Sequence, residues 1–330
     1  MRIAAIDLGS GTIKLSVFEK NLSGWQALCL EEINTELRKG MGPDQRLQPE
    51  PIAATLAAVA AFVKKAQGFG VKSVPAYGTS AVRKASNAQD LTGPLLRRFE
   101  VTTRIFSEED EGRMNLLGAL ARATAPALGA GLGVPPAPRS KLSVHVSPQT
   151  LVMDPGGDSS EICAGDDWKT AQVASLPFGS VSLQEKFGSK HDNAPIAWER
   201  LQAVAADTKA VVLAYSPAQP FIGQPWLPAI RMNIPIQRAL EISNDLPQAA
   251  HGQGGIYTIE HLEKLTRAVA SRDHAGRAAL MAGEPLGKID RTCYGFASWL
   301  GALDALGAKT FSIEPWGIKL GAALFLNGCA

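Results

Sequence analysis

Near the start of the chain an apolar run meets Asp7 and a short glycine turn, and the run beyond the turn alternates apolar and polar residues with a period of two. Residues 2–8 (RIAAIDL) and 13–19 (IKLSVFE) read as two strands joined by Gly9-Ser10-Gly11-Thr12. Ile13, Leu15 and Val17 fall on one face of the second strand, Lys14 and Ser16 on the other. A glycine loop of the dinucleotide-binding or Walker type must open a helix. Here the chain turns into another strand, and both readings fall.

The pattern continues with a helix over about 50–67, a strand within SVPAYGTSAV (73–82) and a helix from near Ser86. A strand at TTRIF (102–106) and a helix from Ser107 to Arg122 follow. Residues 123–139 are rich in Ala, Pro and Gly and read as a flexible linker. Beyond it, TLVMDPGGDSSEICAG (150–165) repeats the opening design of strand, Asp, glycine turn and strand. Each half of the chain thus opens with an Asp-bearing glycine hairpin, which suggests duplicated domains facing each other across a cleft.

Composition narrows the class. The 330 residues suffice for two domains, and 45% hydrophobic with 19% charged residues is the balance of a water-soluble globular protein. A formal charge of +2 does not mark the whole chain as a nucleic-acid binder. Eight Lys/Arg do gather between Lys64 and Arg104, a stretch that could attract polyanions or simply form a solvated helix face. Cys29, Cys163, Cys293 and Cys329 are far apart, against a zinc site or a disulfide framework. The acid at position 7 leaves no signal-peptide pattern, and the apolar run IAATLAAVAAFV (52–63) is too short to span a bilayer. A cytoplasmic enzyme or binding protein without a membrane partner is expected.

A glycine turn after an Asp suits phosphate. Without side chains, backbone N–H groups can converge on phosphate oxygens, and the carboxylate can hold Mg²⁺. The competing reading of DLGSGT is a plain hairpin with turn-favouring residues. Two such loops favour phosphate.

Five segments occur here in a shared order and spacing: IDLGSGTIKLSV, YGTSAVRKASN, FSEEDEGRMNLLG, LVMDPGGDSSEICAG and SLPFGSVSLQEKFG. In them the chain resembles the Ppx/GppA family, the exopolyphosphatases and guanosine pentaphosphate phosphohydrolases of the actin-like, sugar-kinase-like ATPase (ASKHA) superfamily. The resemblance is dense from residue 3 to about 188 and resumes in YTIEHLEKLTRAVA and from GKIDRTCYGFASWLGALDALG to WGIKLGAAL. It implies an α/β fold of two actin-like, ribonuclease H-like domains with the active site in the cleft between them. The expected division is domain I at 1–122 and domain II at 140–330, with the C-terminal segment free to pack back on domain I. The resemblance is to the short form, and the additional HD-type domain of longer members is not expected.

The resemblance also implies roles. The first phosphate loop would be Asp7, Gly9, Ser10, Gly11 and Thr12, and the second Asp154, Gly156, Gly157, Ser159, Ser160 and Glu161. Glu111, in DEGR, would be the general base; a Ser107-capped helix start explains the same acids structurally. Arg83 and Lys14 would meet phosphate. Mg²⁺ is the expected cofactor, with Asp154, Asp7, Glu161 and Asp158 as candidate ligands. The implied activity is hydrolysis of terminal phosphoanhydride bonds in polyphosphate, with guanosine pentaphosphate as a further substrate. The alternatives are a non-catalytic sensor of polyphosphate or guanosine tetraphosphate, and a kinase of the same superfamily. Nucleic acid is not expected as a partner, and monomer or homodimer stays open.

Departures from the family pattern are local. Its GGGST reads GGDSS here, which puts Asp158 into an anion loop, and its GGT loop has no counterpart in 214–235. Lys288 and Lys319 stand where Arg is usual. Neither His145 nor His261 has metal-ligand spacing.

Overall fold

The computed structural model describes residues 1–22, 24–123, 150–188, 192–224, 227–231, 256–281, 289–314 and 316–330. The strands are β1 (Arg2–Leu8), β2 (Thr12–Asn21), β3 (Gly24–Asn34), β4 (Ala76–Gly78), β5 (Thr103–Ile105), β6 (Thr150–Pro155), β7 (Ser160–Ala164), β8 (Gln172–Leu176), β9 (Leu227–Arg231), β10 (Ile256–Thr258) and β11 (Thr310–Glu314). The helices are α1 (Pro49–Gly68), α2 (Ser80–Lys84), α3 (Gln89–Phe99), α4 (Glu108–Ala123), α5 (Ser180–Phe187), α6 (Trp198–Ala214), α7 (Ile259–Ala270), α8 (His274–Leu280), α9 (Arg291–Leu306) and α10 (Gly317–Leu326).

Contacts divide the chain into two units, Met1–Leu128 with Trp316–Ala330, and Gly129–Pro315. In the first, five strands run in the order β3-β2-β1-β4-β5. The first three are antiparallel, and β4 and β5 continue parallel to β1. The second repeats that order as β8-β7-β6-β9-β11, with β10 added antiparallel at the edge. Both are the ribonuclease H-like arrangement expected of two actin-like domains.

Local chemistry accounts for the elements. Pro49 and Pro51 open α1, Glu50 lies in its first turn and Lys65 in its last, as the helix dipole favours. Ser107 caps α4 reciprocally: its hydroxyl accepts the Asp110 N–H, and the Asp110 carboxylate accepts the Ser107 N–H, both at 3.0 Å. Three features differ from the sequence pattern. The strand expected over 73–82 is confined to Ala76–Gly78, because the chain enters α2 at Ser80. The helix expected from near Ser86 begins at Gln89. The long strand β3 has no clear alternation because most of its residues are half-buried on both faces. The 123–139 linker lies outside the described residues beyond Ala123, as do His145 and Lys288.

Each unit has its own apolar core, around Ile6, Leu15, Phe62 and Leu91 in the first and Leu151, Ile162, Phe296 and Phe311 in the second. In the first unit α10 crosses α4 at backbone contact. A Cβ on Gly118 would stand 2.0 Å from the Gly317 carbonyl oxygen, and one on Gly321 1.8 Å from that of Met114. In the second unit the fully buried Arg277 is held by Asp290 and by the carbonyls of Asp192, Ala194 and Arg272. The Tyr294 hydroxyl donates to Asp192 at 2.7 Å. Burial, and then that bond, push its pKa up to about 12. No helix among the described residues is long and apolar enough to cross a membrane.

The α4–α10 crossing gives a direct test of the packing. Gly321→Ala should destabilise by about 1–3 kcal/mol, the usual cost of overpacking, in urea unfolding. Gly68→Ala, at an exposed helix end where a Cβ meets nothing within 4 Å, should be neutral or stabilise by up to about 1 kcal/mol. Equal effects of the two would contradict the crossing.

Candidate functional site

The β1–β2 hairpin places Asp7 directly opposite Lys14, and Lys14 Nζ lies 3.2 Å from Asp7 Oδ2. Both side chains are largely buried. Asp7 Oδ1 is buried with no hydrogen-bond partner among the described residues. The turn needs glycine at position 9, where a Cβ would come within 2.7 Å of the Thr12 carbonyl oxygen. The loop is braced through its carbonyls: Gly11 O accepts from the Thr35 and Glu36 N–H groups at 3.0 and 2.8 Å, and Ser10 O from Arg38 N–H at 2.9 Å. No described residue accepts from the Ser10 or Gly11 N–H. Such a loop, held by its oxygens with its amides outward, can receive an anion.

Arg83 and Glu111 meet in the same unit. Strand β4 pairs with β1 and ends at Gly78, opposite Leu8, so α2 and its Arg83 start from the sheet edge that carries the first loop. Arg83 Nη1 donates to Glu111 Oε1 at 2.5 Å and to the Phe106 carbonyl at 2.8 Å, while Nη2 reaches Glu108 at 3.3 Å. Glu108 escaped the sequence reading. Its signal was its spacing, since i and i+3 on a helix share a face with Glu111. The two carboxylates and one guanidinium form a charge-assisted cluster.

In the second unit, Asp154 stands opposite Glu161 across the β6–β7 hairpin, and both are buried. Ser159 and Ser175 hydroxyls donate to Glu161 Oε1 at 2.8 and 3.2 Å. Ser175 was also missed, because it lies on β8 and only pairing brings it near. Gly156 repeats the role of Gly9, with a Cβ there 2.5 Å from the Ser159 carbonyl oxygen. This loop too is braced by its carbonyls: Gly156 O accepts from Ser180 N–H at 3.0 Å and Gly157 O from Val181 N–H at 2.8 Å. The Ser160 hydroxyl donates to the Phe178 carbonyl and so holds the loop in place. A small pocket below it is lined by Asp154, Glu161, Phe178, Ser298 and Trp299 among others. Asp158 lies in the field of Arg291, at the start of α9. Burial pulls the Arg291 guanidinium below its ordinary pKa, and Asp158 draws it back up. Arg291 thus acts electrostatically on the acid that departs from the family pattern.

The donor set fits Mg²⁺. Asp154 and Glu161 offer hard carboxylate oxygens on neighbouring strands, and two like charges so placed favour a cation between them. No group of three His, Cys, Asp or Glu side chains able to share an ion occurs among the described residues. An ion held here would draw on water and substrate oxygens, as Mg²⁺ commonly does.

Comparison with known proteins agrees with the motifs. A model of the Ppx/GppA phosphatase family matches residues 16–132. A putative exopolyphosphatase from Haemophilus influenzae is 26% identical over 208 residues, 62% of this chain and 57% of that one, so the match spans little more than half of the relative. The crystal structure of the Aquifex aeolicus Ppx/GppA family member superposes with a TM-score of 0.74 at 21% identity, over 99% of this chain and 97% of that one. An exopolyphosphatase from Cytophaga hutchinsonii gives 0.73 at 19% identity, over 100% and 99%. These two likenesses show the shared fold. The resemblance read from the motifs is borne out.

The loop geometry predicts an asymmetry among its glycines. Gly9→Ala and Gly156→Ala each force a carbonyl aside and should cost about 1–3 kcal/mol in thermal or urea unfolding. Gly11→Ala, where a Cβ meets nothing within 4 Å, should change stability by less than about 1 kcal/mol.

Proposed function

We propose that this relative of the Ppx/GppA phosphatases hydrolyses the terminal phosphoanhydride bond of inorganic polyphosphate, and that guanosine pentaphosphate is a further substrate. One observation carries the reading. The Asp-glycine hairpin recurs at the same place in both sheets, each time with its carbonyls tied down and glycine required at the turn.

In this mechanism the backbone amides of the first loop, with Lys14 and Arg83, hold the oxygens of the terminal phosphoryl group, and their fixed dipoles stabilise its charge as the bond to the leaving phosphate lengthens; the second loop offers the same kind of amide site for phosphate. Glu111 accepts the proton of the attacking water. The products are inorganic phosphate, which takes the water oxygen, and a chain shortened by one unit. Bound Mg²⁺ supplies charge neutralisation on the phosphate oxygens. Asp154 and Glu161, opposite each other on β6 and β7, would hold it. The Arg83–Glu111 contact supports the pairing of roles, because the guanidinium that would meet phosphate also orients the carboxylate. In the field of Arg291, Asp158 need not repel the substrate at full strength.

The same contact gives the second reading its ground. If Arg83 stays on Glu111 when ligand binds, the base is blocked and the protein is a sensor of polyphosphate or guanosine tetraphosphate. Phosphate release from polyphosphate, guanosine pentaphosphate and ATP, with Mg²⁺ and with EDTA, separates the readings. Hydrolysis of polyphosphate that EDTA abolishes is expected; binding without release identifies a sensor.

Two variants test the roles. Glu111→Gln should lower turnover about a hundred- to ten-thousand-fold, as loss of a general base does, while binding persists. Arg83→Ala should weaken polyphosphate binding and flatten its salt dependence, since a charge-assisted phosphate contact is lost. Near-native turnover in Glu111→Gln would reduce Glu111 to a helix-start acid.

A further inference from the structure

Helix α4 opens on four consecutive acids, Glu108, Glu109, Asp110 and Glu111. Asp110 completes the capping exchange with Ser107. Glu109 pairs within the helix, at 2.7 Å from Arg113 one turn on. Glu111 is the acid that the motif assigns to the attacking water. Glu108 has its ion pair on another element, with Nη2 of Arg83 on α2 at 3.3 Å. A helix dipole favours an acid at this position, but it does not require the reach to a second helix.

The geometry at Arg83 gives that contact a meaning. A guanidinium has two forks for a two-point contact with an oxyanion, Nη1 with Nη2 and Nε with Nη2. Nη1 of Arg83 is taken by Glu111 and by the carbonyl of the fully buried Phe106. Nε donates to no described residue. The fork left for phosphate is Nε with Nη2, and Glu108 stands on Nη2. The Glu108 side chain is 47% exposed against 15% for Glu111, so of the two carboxylates on Arg83 it is the one at the solvent. An ion pair so exposed holds weakly, and a multiply charged anion can displace it.

We propose that Glu108 is a positioning residue: its carboxylate holds Arg83 by Nη2 between ligands and gives way to the terminal phosphate of a condensed phosphate chain. This rests on the reading of Arg83 as a phosphate contact. Substrate and orthophosphate product must displace the same carboxylate, so Glu108 weakens the binding of both and takes the guanidinium back as product leaves.

The test is a double-mutant cycle of Glu108→Gln and Arg83→Ala, with thermal melts to check that each variant folds. In Glu108→Gln, the KM for polyphosphate and the inhibition constant of orthophosphate should fall together by roughly two- to fivefold, the range an exposed ion pair spans. In the Arg83→Ala background the same substitution should change neither. Glu109→Gln, which removes an equal charge from the same turn, should also leave both constants near native. An unchanged or raised KM in Glu108→Gln overturns the proposal. So does an equal fall in Glu109→Gln or in the Arg83→Ala background, because either would mean that net charge alone matters. Calorimetric binding of tripolyphosphate reads the same cycle without turnover, and so holds even if the native protein releases no phosphate. If Arg83→Ala binds tripolyphosphate as tightly as the native chain, Arg83 meets no phosphate, and the underlying reading falls together with the proposal. If Arg83→Ala binds weakly and Glu108→Gln binds no tighter than native, the role of Glu108 alone is refuted.

Discussion

The first unit depends on two helices that touch without side chains between them. Gly118 on α4 and Gly321 on α10 each face a backbone carbonyl so closely that even a methyl group would overlap it. Close packing tolerates no such overlap, so glycine at both places sets the helix separation. Much follows from that contact. It seats the last fifteen residues, Trp316–Ala330, in the unit where the chain began. It fixes the helix that presents Glu111, whose own carbonyl is bonded to the Asn115 side chain. It also drives Lys319 into the interior beside Glu32.

The two glycine hairpins are one construction with different charges. In both, an Asp near the end of the first strand faces a residue on the second, a glycine lies under a carbonyl three residues ahead, and the loop carbonyls are tied to a neighbouring segment. In the first, the facing residue is Lys14, and the Asp is neutralised within the protein. In the second it is Glu161, so two buried carboxylates stand opposite each other, and the Ser159 and Ser175 hydroxyls donate to Glu161. The second hairpin thus offers two carboxylates on neighbouring strands, whereas the first pairs its Asp with a lysine.

The arginines show the same economy of charge. Arg83 lies between Glu108 and Glu111, and Arg291 lies in the field of Asp158. Each arginine thus has a carboxylate of the protein acting on it.

Much of this was legible in the chain itself. Short apolar runs meeting an Asp and a glycine turn, with alternation over 13–19, gave both hairpins, because glycine turns between short apolar runs mark strand pairs. The acids after Ser107 gave the start of α4, because capping is a local hydrogen-bond exchange. The motifs named Asp7, Arg83, Glu111 and Asp154. Sequence could not show which charges meet: that Glu108 shares Arg83, that Arg291 answers Asp158, or that Lys319 reaches Glu32 across almost three hundred positions. Neither could it bound the short strand at Ala76–Gly78 or reveal β3, half-buried on both faces. Periodicity and capping are set by residues a few places apart and are written in the order of the chain. Charge pairing and burial depend on distances in space, and only the packing of strands and helices against one another decides those.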